Sequence, residues 1–448
     1  MASASQPAAP LDGVQAAQYA GVAQVREGGA SCTGWMIDTA SADTPAYVVT
    51  NGHCAQGRIL PPTAVGVDQP ADGGVVFGRG GRTAPLSVQT NRVAYSSMNG
   101  TDVSVLELST TVGRLAAEGI TGFRPVAPLP SRRVVTNVGV PVAGVPPNQV
   151  SPRIGRCVTG APVGVIEFGW FFDSAQAVDC PGVLGGSSGS PLFDRATRVV
   201  GMINTTTVRA ATGGDCWLNK PCERTADGAS VVPDTSYAIS VQGLSACFPG
   251  GRFALAEGCP LPRPGLVVDP SVTAVSAGTD EVTARVIAPN RSELRTGVAP
   301  LTDADACADP STYTARVVAG PQPTPITASL PAEEGFFVWC VADPSGSLPT
   351  ARVVLQRDLT PPVLTPRISV DETQASFRVQ PVFAPPEIAN YRIKYGPAAI
   401  TSCADPAGYQ AYRRVPTVVP RTAAPVLYCA IAEDLAGNAA PPISRELS

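Results

Sequence analysis

Short apolar runs alternate with clusters of Gly, Pro, Asn, Asp and Ser from about residue 14 onward. Residues 47–50 (YVVT), 103–108 (VSVLEL), 199–204 (VVGMIN) and 236–241 (SYAISV) are short and bounded by turn formers, the pattern of strands at sandwich or barrel spacing. Helical periodicity is never kept for more than about three turns, and residues 111–119 and 240–248 are the best short helix candidates. Composition sharpens this picture. The 44 Gly and 46 Pro make up about one-fifth of the 448 residues, well above the usual ~12%, and charged residues are 15% against a typical ~25%. Long helices and coiled coils are disfavoured. With 6% aromatic residues, Val, Ala, Leu and Ile must do most of the packing. At roughly 150 residues per domain the length suggests about three folded units.

The net charge of -4 and the absence of a basic cluster longer than Arg132 and Arg133 leave no surface able to neutralise a run of phosphates, so no nucleic-acid partner is expected. Twelve cysteines, an even number, are mostly scattered singly, and the chain has one histidine. Zinc sites want short CxxC pairs or Cys and His mixtures, so no metal is expected, and paired disulfides in an oxidising compartment fit better. Residues 1–10 (MASASQPAAP) lack the cationic start and apolar block of a secretory signal, which points to a processed or engineered start of a secreted or extracytoplasmic protein. The least charged stretch, residues 134–152, holds Pro141, Pro146, Pro147, Asn148 and Gln149 and cannot be a membrane helix; no membrane span is expected.

Composition changes after Cys247. Residues 249–265, dense in Pro and Gly, are expected to form a linker whose ends Cys247 and Cys259 clip together. Beyond it the sequence repeats loosely: ACADPSTY at 306–313 resembles SCADPAGY at 402–409, and VWCVAD at 338–343 resembles YCAIAED at 428–434. The unit is about 90 residues, with TPP at 360–362 between the copies. Each copy has two cysteines, so Cys307 is expected to pair with Cys340, and Cys403 with Cys429. A unit of this size with many short strands suggests a β-sandwich. In the second copy YRIKY at 391–395 alternates as a half-buried strand does, and DLAGN at 434–438 reads as a turn. Both copies resemble fibronectin type III or related immunoglobulin-like modules, which implies spacing or adhesion rather than chemistry. The expected boundaries are 266–359 and 362–448.

The only histidine, His53, follows a predicted strand in TNGHC; Asp102 stands at the mouth of an alternating apolar strand in NGTDVSVLEL; Ser188 lies in the glycine-flanked turn VLGGSSGSPLF. A serine nucleophile needs a neighbouring base, and the imidazole needs a carboxylate to hold its tautomer and stabilise its cation. Glycines around the serine allow a tight turn whose amides face an oxyanion, with Gly186 and Ser188 as the expected donors. Chain order tests the rivals. Gly185, Ser187 and Gly189 satisfy the GxSxG elbow of α/β-hydrolases, but that fold needs a histidine after the serine and none follows. A subtilisin order would use Asp38 or Asp43, and its helix-rich pattern is missing.

SCTGWMI at 31–37, TNGHC, GTDVSVLEL and GGSSGSPLF, in this order, resemble the signature blocks of chymotrypsin-like serine peptidases over residues 14–248. The resemblance implies an all-β fold class: two six-stranded Greek-key β-barrels with the site in their cleft, here followed by the two β-sandwich modules. It places the general base at His53, its orienting carboxylate at Asp102 and the nucleophile at Ser188. It also implies the disulfide Cys32 with Cys54 and, approximately, Cys157 with Cys180. Six cysteines from Cys157 to Cys259 permit 15 connectivities by counting, and the short loop favours Cys216 with Cys222. Ser187 stands where digestive relatives have the aspartate that captures a new N-terminal ammonium, and Ser190 replaces the last motif glycine, as in bacterial secreted members.

The same resemblance puts the base of the primary substrate pocket near Gly182 and its walls near Asn204, Thr205 and Thr206 and near residues 213–215. Gly182 cannot pair with a buried cation; Asp179, Asp215 and Asp234 lie nearby in sequence, where exposed loops are the commoner reading. Pocket recognition of glutamate by a second histidine is disfavoured because His53 is committed, which leaves small, polar or apolar side chains open. Residues 204–206 are also the expected edge along which an extended peptide adds. The reading is a secreted serine endopeptidase and a monomer, needing no cofactor, with a protein or peptide substrate and a surface or polymer ligand for the tail modules. The rivals are a catalytically silent binding protein on the same scaffold and an esterase using the same residues.

Overall fold

In this computed structural model the described residues are 8–55, 60–78, 85–126, 130–208, 210, 216–303, 307–362, 367–382 and 388–448. The expected pocket wall at 213–215, Asp215 included, and Ala306 of the first repeat lie outside them.

The chain opens with a two-residue strand, β1 (Ala9–Pro10). An N-terminal barrel follows: β2 (Val22–Glu27), β3 (Ala30–Met36), β4 (Pro45–Thr50), β5 (Val65–Gln69), β6 (Gly74–Phe77), β7 (Leu86–Ser97) and β8 (Val103–Thr111). The order is β5-β7-β6-β2-β3-β4-β8, and pairing of β7 with β8 closes the ring. The second barrel comprises β9 (Val134–Gly139), β10 (Arg153–Glu167), β11 (Trp170–Asp179), β12 (Pro191–Phe193) and β13 (Val199–Thr206). A hairpin of β14 (Cys222–Thr225) and β15 (Gly228–Ser230) precedes its last strand, β16 (Ser236–Ser240). The order β11-β16-β13-β12-β9-β10 is closed by β10 pairing with β11; β14 and β15 extend it, and β1 adds to β10. The protein is all-β, with two barrels of the chymotrypsin type. The four strands read from the sequence in residues 47–241 are present, because their apolar residues are buried: in β8, Val103 and Val105 join a cluster shared by the two barrels, and Leu106 and Leu108 join a second cluster within the first barrel.

One apolar cluster bridges the barrels. Trp35, Tyr47 and Tyr95 of the first meet Val138, Phe193, Met202 and Ile239 of the second. The segment 249–265 packs onto the same cluster through Phe253, Leu255, Cys259 and Leu261, and Tyr95 donates its hydroxyl hydrogen to the Pro262 carbonyl at 3.0 Å. A helix at Val112–Ala117 lies within the expected 111–119, capped by the Thr111 hydroxyl, and a 3-10 turn at Leu244–Cys247 lies within 240–248. A further helix, Gly13–Gln18, starts at Asp12, which forms a reciprocal capping box with Gln15.

Beyond residue 266 two pairs of sheets each enclose an apolar cluster. The first pair has three strands (Val267–Pro270, Glu281–Ile287, Thr324–Ser329) facing five around Trp339. The second has three facing four around Tyr391 and Tyr428. The first pair does not hang free of the barrels. Ile166, Phe171, Cys216 and Cys222 of the second barrel share a cluster with Leu301, Tyr313, Val338, Cys340 and Val354. The Val354 amide donates to Gly169 O at 3.2 Å, and Arg352 pairs with Asp173. Between the two tail units, Ser276 N donates to Ala436 O at 3.1 Å and Asn438 Nδ2 to Asp358 O at 2.9 Å.

Six disulfides are present: Cys32 with Cys54, Cys157 with Cys180, Cys216 with Cys222, Cys247 with Cys259, Cys307 with Cys340 and Cys403 with Cys429. Among the described residues no helix is long and apolar enough to cross a membrane.

Because Val354 is 1% exposed at the contact between the barrels and the tail, Val354→Asp places a charge where nothing hydrates it. Urea melts should show a loss of about 4 kcal/mol. The same change at Val418, which is 55% exposed in the last unit, should be nearly silent.

Candidate active site

β4 ends at Thr50, and the chain turns through a 3-10 step, Gly52–Cys54, that carries His53. The step is held from both sides. Asn51 Nδ2 donates to Asp102 O at 2.8 Å, Ser96 Oγ donates to Gly52 O at 3.2 Å, and the disulfide ties Cys54 to Cys32 on β3. Gly52 has no room for a side chain, since a Cβ there would stand 2.2 Å from Ser97 O. Asp102 enters from the start of β8 and is fully buried. One of its oxygens accepts from the His53 backbone N–H at 3.1 Å and the other lies 2.7 Å from His53 Nδ1. The carboxylate thus fixes the ring and favours a proton on Nδ1, which leaves Nε2 as the basic nitrogen. Burial pulls the imidazolium down, but the charge and hydrogen bond of Asp102, with a smaller contribution from Glu167, outweigh it. His53 therefore titrates above its ordinary value.

Ser188 projects from the turn between Cys180 and β12. It is half-buried, while Gly186, Ser187, Gly189 and Ser190 around it are buried. The turn uses its own groups: Ser187 N–H donates to Leu184 O at 2.8 Å, Leu184 N–H to Ser187 Oγ at 3.2 Å, and Ser190 N–H to Ser187 O at 2.9 Å. Gly186 and Gly189 have φ of +99° and +83°, and a Cβ at Gly189 would stand 2.1 Å from Thr33 O. Among the described residues, no hydrogen bond engages the N–H of Gly186 or of Ser188. Ser190 does what a glycine cannot, since its hydroxyl accepts from Asn137 Nδ2 on β9 at 2.8 Å.

Thr33, on β3 beside Cys32, joins the two halves, and no local sequence signal marks it. Its N–H donates to Ser188 O at 2.8 Å and its carbonyl accepts from Thr50 Oγ1 at 2.7 Å. Its hydroxyl donates to Gly186 O at 2.8 Å and accepts from Val140 N–H at 2.7 Å. The strand end that precedes His53 and the turn that carries Ser188 are therefore both bonded to one fully buried residue.

The expected pocket residues are more dispersed. Gly182 (φ +86°) backs onto Ala8, the residue before β1, where a Cβ would stand 2.4 Å from Ala8 N. Asn204 is 2% exposed, with no partner for its Nδ2 among the described residues, and Thr206 Oγ1 bonds Ser236 Oγ and Thr235 O. Asp179 and Asp234 are exposed. The acid that does lie beside the site is Glu167, the last residue of β10. It is buried, accepts from Asn219 N–H at 2.7 Å and from Thr205, and faces the His53 and Asp102 pair electrostatically. Burial pushes its carboxyl above the ordinary range in spite of those hydrogen bonds and the attraction of His53. Its sequence signal is one acid inside the apolar run VIEFGWFF at 165–172. As for metals, the sulfurs nearest His53 are those of Cys32 and Cys54, already joined to each other, so the set offers no thiolate ligand.

Residues 32–202 match the family described as "Trypsin-like peptidase domain". That part of the chain is a trypsin-like peptidase domain. The chain has no match among the curated proteins. Solved structures similar to it include the Rv3671c protease in its inactive form (16% identity, 52% of this chain and 93% of the other, TM-score 0.32). Another is human heparin binding protein (15%, 58% and 100%, TM-score 0.37). A third is a Glu endopeptidase in complex with MPD (14%, 55% and 96%, TM-score 0.32).

In the peptidase domain Thr33→Val keeps the shape but strips the hydroxyl, leaving Gly186 O and Val140 N–H buried and unpaired. The expected loss is about 2–4 kcal/mol in urea melts. A variant as stable as the wild type would contradict the role given to this hydroxyl.

Proposed function

We propose that the chain is a secreted serine endopeptidase, with His53 as general base, Asp102 as its orienting carboxylate and Ser188 as nucleophile. The reading rests on one observation above all: a buried carboxylate 2.7 Å from His53 Nδ1 in one barrel, with the Ser188 turn of the other barrel fastened to the same β3 strand. His53 Nε2 takes the Ser188 hydroxyl proton as Oγ attacks the scissile carbonyl carbon. The imidazolium then gives that proton to the leaving amine, and the acyl group stays on Oγ. Water, deprotonated by the same nitrogen, attacks the ester and releases the acid. The uncommitted N–H groups of Gly186 and Ser188 suit the oxyanion of both tetrahedral intermediates, and the edge at Asn204, Thr205 and Thr206 suits an extended substrate. Six disulfides fit an oxidising, extracytoplasmic setting. The two tail units, read as immunoglobulin-like modules, serve binding or spacing, with a surface or polymer as ligand.

The deciding measurement combines fluorophosphonate labelling with casein digestion for the wild type and Ser188→Ala. Both activities should be present in the wild type and absent in the variant. A wild type that takes up no probe would leave a silent binding protein as the better account, and one that takes up probe and cleaves esters but no peptide would indicate an esterase.

The pH dependence has a definite sign. Only neutral His53 can accept a proton, and its pKa lies above the ordinary value of 6.5. kcat/KM should therefore fall as pH drops, with an acid limb centred above 6.5. Asp102→Asn should lower kcat by about 10³–10⁴-fold.

A further inference from the structure

A cavity of about 840 Å³ lies where the two barrels, the Pro/Gly-rich segment and the first tail unit come together. The turn ahead of β8 forms one wall, and Thr101 and Val103 line it on either side of Asp102. Asp102 itself has its carboxylate on His53, and neither Ser188 nor the edge at residues 204–206 lines the cavity. The site is therefore separate from the cleft. Buried Val103, Val241, Leu244 and Leu261 supply its apolar lining. Pro162 on β10, Pro260 and Pro262 of the connecting segment and Pro349 of the tail stiffen its walls, and the Pro262 carbonyl is held by the Tyr95 hydroxyl at 3.0 Å.

The polar groups around this lining define what would fill it. Asn99, Thr101, Ser240, Gln242 and Thr350 offer amides and hydroxyls that both donate and accept, which suits the N–H and C=O groups of a peptide and not the bare chain of a lipid. Two arginines and no acid line the cavity, in a chain whose net charge is -4. Arg352 is already paired with Asp173. Arg263 has one described bond, from Nη2 to Ala256 O at 3.0 Å, and no ion pair among the described residues, so its guanidinium is the cation left to meet an anion. The volume lies within the range of ligand sites formed between domains and admits a few residues of chain.

We propose that this junction cavity is a second binding site, which takes a short peptide through a carboxylate bonded to Arg263, either the terminal one or that of an acidic side chain. Apolar residues of the peptide lie on Val103, Leu244 and Leu261, and its backbone groups meet the surrounding amides and hydroxyls. The ligand binds in exchange for water, and no covalent change is involved. The site does not depend on hydrolysis in the cleft.

The test uses the full chain with Ser188→Ala, so that no peptide is consumed, and follows the binding of short apolar peptides by calorimetry. One pair ends in a free carboxylate or an amide; a second carries glutamate or glutamine within an amidated peptide. In at least one pair the carboxylate form should bind about tenfold or more tightly. On the same background Arg263→Gln should remove that preference, and Thr350→Trp, which fills the cavity from the tail side, should remove it as well. Arg285→Gln, on an exposed tail strand and not among the lining residues, should leave it intact. No binding at millimolar peptide, equal binding within both pairs, a preference kept in Arg263→Gln or Thr350→Trp, or one lost in Arg285→Gln overturns the proposal. Decanoate that binds more tightly than either carboxylate peptide, and loses that affinity in Arg263→Gln, assigns the cavity to fatty acids and overturns the peptide assignment.

Discussion

The geometry of the site depends on the hydrogen bonds of one buried threonine. His53 and Ser188 belong to different barrels, and a shared apolar cluster fixes the distance between barrels only as well as side-chain packing can. Thr33 adds direction. Through its amide, carbonyl and hydroxyl it is bonded to the Ser188 carbonyl, the Thr50 hydroxyl, the Gly186 carbonyl and the Val140 amide. Each bond is modest on its own, but all are dry, and breaking one strands its partner. The neighbouring Cys32–Cys54 bridge fastens the histidine turn to the same strand. Position and orientation are thus set by short covalent and polar links, and the apolar core has only to keep water away from them.

The parts legible in the sequence are those whose role is written locally. His53, Asp102 and Ser188 each sit in a short block whose glycines are required by the backbone: Gly52 faces Ser97 O, and Gly189 needs positive φ against Thr33 O. Strands were legible where alternation ends at turn formers, as at 103–108. The helix at Gly13–Gln18 leaves no periodic signal, because six residues are too few, although Asp12 and Gln15 form a capping pair. Thr33 and Glu167 were not legible for another reason. Thr33 is ordinary in a strand, and only long-range pairing brings it to residues 186 and 188. The charge of Glu167 was visible, but nothing near it in sequence tells that Thr205 and Asn219 meet it.

In sequence a Pro/Gly-rich stretch marks the tail off from the barrels. The structure adds that this stretch lies on the N-terminal barrel and that the first tail unit rests on the second. Pattern alone did not reveal this, because a residue such as Phe171 has the same apolar signature whether it faces its own core or another unit. The shared cluster of Ile166, Phe171, Val338 and Val354 is continuous with the hairpin that ends at Glu167.

That contact limits how such a molecule can diversify. The hairpin tip at Gly169 is wedged between Pro62 and Thr273, with its carbonyl bonded to Val354. An insertion here, the easiest way to remodel a cleft wall in a free-standing barrel, would lever the neighbouring unit off its seat. A variant that keeps the tail docked is therefore confined to exchanging side chains on a hairpin of fixed length.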